Sequence, residues 1–225
     1  EVLYTKYDHV KSLLKTPELQ SGIRKDWLIN NGNELEKNGI DVYATFKSLR
    51  SYMLLSNGIH HQLLRKLVSK SLKPKQLNLS IEQRALELMK NIEPGSNIIE
   101  AYCQVLPFEA ALSLLGITLK EAHYLRSFVL DFSRILELYL SMNDLVKVEK
   151  AATVLLDFFN SKIIELRKTP DQSLISNVIQ ECDIDNSLND DEVASLFLSI
   201  LMAATETTAN FLGSSILTLL KHRKE

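Results

Sequence analysis

Residues 193–220 carry a single ionisable side chain, Glu206, in an otherwise apolar and small-polar run. Asn189 with Glu192 three residues on resembles a capping box ahead of it, and Lys221, His222, Arg223 and Lys224 follow where cations suit a helix C-terminus. The spacing predicts one helix from about Asp190 to Lys221, some 30 residues and roughly 45 Å long. Length alone allows a membrane span. An acid near the middle of a span costs about 3 kcal/mol, however. Ser195, Ser199, Thr205, Thr208 and Asn210 dilute the apolar character further. The segment is better read as the central helix of a large soluble domain. Such a helix needs partners on several sides, so most of the chain must be built to surround it.

The remaining residues suit that demand. Only seven Gly and five Pro occur in 225 residues, which predicts long helices and few hairpins. Apolar periodicity predicts helices over about 57–72, 76–91, 98–115, 118–140, 143–168 and 172–181. Gly116 is a natural C-cap, and Pro74 and Pro170 end their helices. Val2-Leu3-Tyr4-Thr5 reads as a short strand, followed by a helix that Asp8 can cap and Pro17 ends. Residues 21–56, rich in Asn and Gly, read as a long loop with helical turns. The expectation is a single mainly α domain over 1–225 with a minor N-terminal β element.

A net charge of -2 offers no broad attraction to nucleic acid or an anionic membrane. Cys103 and Cys182 stand alone, which argues against a disulfide framework or a zinc site and fits a reducing, cytoplasmic compartment. Cys103 sits among apolar residues as a small hydrophobe, whereas Cys182, near Asp183 and Asp185, reads as a solvated thiol. No signal peptide is visible. The first residue is Glu1 rather than Met, so the sequence is expected to be part of a longer one.

Two clusters carry chemistry. On the long helix, Ser195, Ser199, Met202, Glu206, Asn210 and Gly213 fall on one stripe. Glu206 can be a structural carboxylate bonded to a neighbouring helix. Alternatively, Ala203-Ala204-Thr205-Glu206-Thr207-Thr208 is a site. The Thr207 hydroxyl can compete for the Ala203 carbonyl and loosen the helix. Small Ala203 and Ala204 let a flat ligand approach, and the adjacent acid and alcohol can relay protons. The second cluster is His61 with Arg65, four apart on one helix face beside Val68 and Leu72. A cationic pair edging an apolar surface suits an anionic group on a flat ligand. Taken alone, the pattern is common by chance and reads more simply as two solvated surface residues. His60 falls with Leu64 and Leu67 instead.

The two clusters together resemble the cytochromes P-450. Residues 203–208 are similar to that family's distal helix, Ala-Gly/Ala-x-Asp/Glu-Thr-Thr. His61-Gln62-Leu63-Leu64-Arg65-Lys66-Leu67-Val68 resembles its His-x-x-Leu-Arg-Arg-Leu-Val helix, and 69–74 its following turn. Residues 4–14, Leu106-Pro107-Phe108 with Leu114-Leu115-Gly116-Ile117, and 187–192 agree in order, although Thr118 replaces Pro and Ala204 stands where Gly is commoner. The resemblance covers essentially the whole chain and is to the N-terminal half of a soluble, bacterial-type member. It implies haem b held by His61 and Arg65 at the propionates, with Ala203 and Ala204 against the ring. It implies that Glu206 and Thr207 deliver protons to dioxygen. It implies a monooxygenase acting on a small apolar substrate, with electrons from a ferredoxin or flavin reductase. Residues 21–56 and about 118–145 would border the substrate.

The family's Glu-x-x-Arg helix and its Phe-x-x-Gly loop with the axial cysteine are absent from these 225 residues. Neither Cys103 nor Cys182 lies in such a loop, so no metal ligand is assigned. A rival reading is a haem-free P-450-like helical protein that works as a binding or interaction module. Plain coincidence of motifs in a helical bundle is a third.

Overall fold

A computed structural model describes residues 3–16, 18–72, 78–137 and 139–222. Ten α-helices occur among them. Short α1 (Tyr7–Leu13), α2 (Ile23–Lys37) and α3 (Tyr43–Ser48) precede a 3-10 turn, Met53–Leu55. Then follow α4 (Gly58–Ser71) and α5 (Asn78–Lys90). A π-helical segment, Ile99–Cys103, leads into α6 (Val105–Leu115). The order closes with α7 (Leu119–Ser133), α8 (Met142–Lys168), α9 (Leu174–Asp185) and α10 (Asp190–Lys221).

α10 is the hub. It packs against α3, α6 and α8, while α8 also packs against α7 and α9. Every residue from Val193 to Met202 is buried. Phe197 is 0 % exposed, and its ring lies 6.1 Å from that of Phe159 on α8. From Ala203 onward the helix emerges, and Phe211, Leu217, Leu219 and Leu220 are exposed. By length and composition α10 is apolar enough to cross a membrane, but its first half is domain core.

Caps fix where the long helices start. Thr118 with Glu121, Ser141 with Asp144, and Asn189 with Glu192 all form reciprocal capping boxes. The last is the one the sequence predicts. Substituting Thr118 for Pro thus adds a cap to α7. The Glu121 carboxyl is pushed up by burial, but bonds from Thr118 and the Lys162 ammonium outweigh this and hold it below the usual range. Gly116 ends α6 at φ 75°. A Cβ there would meet the Ser173 Cβ at 2.4 Å, so this turn requires glycine twice over.

Four expectations change. No strand forms among the described residues, because Leu3, Tyr4 and Thr5 have no partner strand and a lone extended segment leaves its backbone unpaired. Lys6, not Asp8, is the N-cap of α1, and Pro17 and Pro74 lie outside the described residues. Most of 21–56 is helical. Leu28 and Leu35, two turns apart, anchor α2 in the core, and Asn30-Asn31-Gly32-Asn33 between them hides the helix from propensity. Cys182 is buried rather than solvated, because α9 turns it toward the core beside Val178 and Ile179. Its thiol is pushed up chiefly by that burial.

Candidate active site

α4 and α10 meet the segment 52–54 around a cavity of about 590 Å³. α4 turns Leu64 and Leu67 into the core and presents His61, Arg65 and Val68 to the cavity. α10 contributes Ser199, Met202, Ala203, Glu206 and Thr207, one helical face over two turns. Tyr52, Met53 and Leu54 form a third wall, and Leu136 closes the lip after α7.

His61, Arg65, Ala203, Glu206 and Thr207 therefore line one space. Ala204 does not: it packs partly into the core. His60 faces away too, its Nε2 3.3 Å from the Ser51 hydroxyl. The Thr207 Oγ1 donates to the Ala203 carbonyl at 2.7 Å, the competition anticipated from spacing. Glu206 is exposed, not buried, because α10 leaves the core at Ala203. Glu206 and Met202 also line a second, mostly apolar cavity of about 200 Å³ against α6 and α7, to which Gln104, Arg126 and Asn210 add polar groups. One acid thus borders two spaces. Charge divides the main cavity: His61 and the Arg65 guanidinium of α4 sit on one side, and the carboxylate and alcohol of α10 on the other.

Two ties that spacing did not reveal hold the third wall. The half-buried Glu149 on α8 accepts from the N–H groups of Ala44 and Thr45 at 2.7 and 2.8 Å, and from the Thr45 hydroxyl at 2.6 Å. Ser195 on α10 accepts from the Ser51 N–H at 2.8 Å and donates to the Ser48 carbonyl at 2.7 Å. Each partner lies more than 100 residues away in sequence, so no local pattern signals either tie. Glu149→Gln keeps the size but loses charge and acceptors. It is expected to cost about 2 kcal/mol in stability. Hydrogen exchange at Ala44 and Thr45 should quicken; unchanged protection there would remove the clamp.

No protein-family model matches the chain. Among curated proteins it is 26% identical to the polyketide biosynthesis cytochrome P450 PksS of Bacillus subtilis, over 99% of this chain and 54% of that protein. It is 24% identical to cytochrome P450 CYP107DY1 of Priestia megaterium, over 98% of this chain and 55% of the relative. Among solved structures, P450BioI in complex with an acyl-carrier-protein ligand superposes with a TM-score of 0.81 at 19% identity, covering 97% of this chain and 55% of that one. The chain is a cytochrome P450 homologue. The structure of Bacillus subtilis PksS agrees in fold, with a TM-score of 0.75 at 24% identity over 98% of this chain and 53% of PksS. The chain spans about half the length of the curated relatives it matches, in keeping with an N-terminal half.

P450 homology implies a haem cofactor. The donor set fits one. His61 and Arg65 offer N–H groups suited to carboxylates, those of Arg65 charged and in a planar fork. Ala203 leaves the α10 face low, and Met53, Leu54, Val68 and Met202 give apolar walls. No cluster of three or more His, Cys, Asp or Glu side chains able to hold a metal occurs among the described residues.

Proposed function

We propose that the chain is the N-terminal half of a haem-dependent monooxygenase that oxidises a small apolar molecule with dioxygen and externally supplied electrons. The observation that carries this reading is the convergence of His61, Arg65, Ala203, Glu206 and Thr207 on one cavity. When bound, haem would supply the activation of dioxygen. The protein's part is binding, orientation and proton supply. His61 and Arg65 on α4 would hold the propionate carboxylates. Ala203, which lines the cavity, would leave room for the ring, with Ala204 packed behind it against the core. Glu206 takes protons from water in the cavity it borders on the α6 and α7 side. Thr207, adjacent on the helix and bonded to the Ala203 carbonyl, holds a proton donor at the Oγ1.

The relatives support an apolar substrate by their own names: they include a vitamin D(3) 25-hydroxylase and a 6-deoxyerythronolide B hydroxylase. A ferredoxin or flavin reductase as electron donor and a cytoplasmic location belong to the same proposal, since the relatives are bacterial.

Arg65 provides the first test. Removing a charge-assisted bond to a carboxylate costs about 1.5–3 kcal/mol, so Arg65→Ala in the intact enzyme should weaken haem retention roughly tenfold or more. Haem content after gel filtration, read at the Soret band, measures this. Equal content in variant and parent would withdraw Arg65 from the site.

A further inference from the structure

α4 and α10, which border the main cavity from opposite sides, are also joined outside it through buried serines. The Ser195 hydroxyl of α10 accepts from the Ser51 N–H at 2.8 Å and donates to the Ser48 carbonyl at 2.7 Å. The Ser51 hydroxyl in turn is bonded to the His60 Nε2 of α4, at 3.3 Å. Ser48, Ser51 and Ser195 are each 0 % exposed. One run of bonds thus passes from α10 through the segment 48–51 to the first turn of α4, and none of these side chains lines the cavity.

Both ends of the run adjoin residues that do line it. Ser195 lies about two and three turns ahead of Met202 and Glu206, on the same face of α10. His60 directly precedes His61. Burial of Leu64 and Leu67 anchors α4 one and two turns further along. The N-cap, Asn57, makes no side-chain bond to the helix; it accepts from the Ser21 N–H at 3.0 Å and donates to the Ser21 carbonyl at 2.8 Å. The His60 bond therefore acts on the turn that carries His61. Holding the His60 ring fixes the rotation of that turn, and with it the direction in which the next side chain leaves the helix, about 100° further round.

We propose that Ser51, His60 and Ser195 are positioning residues that set where His61 stands relative to Ala203 and Thr207, and so the fit of the cavity to haem. The proposal rests on the haem-monooxygenase reading and adds to it the link that holds the two walls in register. A hydrogen bond to a carboxylate weakens steeply when misaligned. Groups that orient a ligating side chain from behind therefore act on retention of the bound group, although they never touch it.

Ser195→Ala, Ser51→Ala and His60→Leu in the intact holoenzyme test this, beside His60→Gln, whose amide can keep the bond to Ser51. His60 is half-buried, so its variants do not depend on replacing a core residue. Ser176→Ala is the control: Ser176 is buried on α9, accepts from the Asp171 N–H at 3.1 Å and lies off the cavity. Haem loss to excess apomyoglobin is timed at the Soret band, the propionate bending modes are read by resonance Raman, and urea unfolding gives stability. The first three variants are expected to release haem roughly tenfold faster and to shift the propionate bands, whereas His60→Gln and Ser176→Ala stay within about twofold of the parent with unshifted bands. If Ser195→Ala loses stability but keeps the parent's haem loss and propionate bands, the serines only hold the fold together and the proposal is overturned. It is overturned equally if His60→Leu matches the parent, or if His60→Gln matches His60→Leu. A parent enzyme without a Soret band overturns the haem reading and the proposal together; a haem-loaded parent with unaffected variants overturns the proposal alone.

Discussion

Thr207→Ala should let the intact enzyme consume oxygen with little product to show for it. A positioned proton donor contributes about 10²–10⁴-fold to the step it serves, so product formed per oxygen consumed should fall about a hundredfold. The geometry says which variant separates chemistry from shape. Thr207 Oγ1 donates to the Ala203 carbonyl at 2.7 Å, one turn back along α10. Thr207→Ser keeps that bond and the hydroxyl, and should stay close to the parent. Thr207→Val keeps the shape and loses both, and should behave as Thr207→Ala does. Oxygen-electrode traces paired with product quantification read the ratio. Equal coupling in Ala, Val and parent proteins would remove Thr207 from the proton path.

Phe197→Ala carries the largest expected cost in stability. The ring is fully buried in the N-terminal half of α10, 6.1 Å from Phe159, which in turn lies 5.5 Å from Phe158. Emptying such a position costs about 3–5 kcal/mol, because the lost transfer energy adds to a cavity that rigid neighbours cannot fill. Domains of this kind have only about 5–15 kcal/mol in total. Urea unfolding should show a lower midpoint at unchanged slope. Phe197→Leu should recover much of the loss. A cost below about 1 kcal/mol for Phe197→Ala would mean that the stretch 193–202 is not the packed centre.

Local signals made much of this molecule legible. The capping box at Asn189 and Glu192, the glycine at 116 and the apolar periods of α4 and α8 are written within a few residues of where they act. So is the Thr207 back-bond, which needs only a spacing of four. What stayed hidden depends on distant partners or on contradictory local chemistry. The asparagine-rich middle of α2 favours turns by propensity, and only the burial of Leu28 and Leu35 overrides it. Cys182 sits among acids in sequence but turns away from them in space. Glu149 and Ser195 give no motif, because their value lies in backbone groups contributed by 44–51. Tyr52 looks like one more aromatic in a variable stretch until the walls of the cavity are drawn around it. The exposure of Glu206 was hidden for a related reason: periodicity shows which residues share a face, but not where along a helix the packing ends.

The hub of this helical core is made only after the helices it packs against. Ser195, which ties Ser48 to α10, is 147 residues downstream of it. At roughly 5–20 residues per second, that is about 7–30 s of synthesis before Ser48 can meet its partner. Until then α3, α6 and α8 have emerged with their apolar faces made for a helix that does not yet exist. A nascent chain of this kind cannot close this core, or hide these faces from aggregation and chaperones, before residues 193–202 arrive.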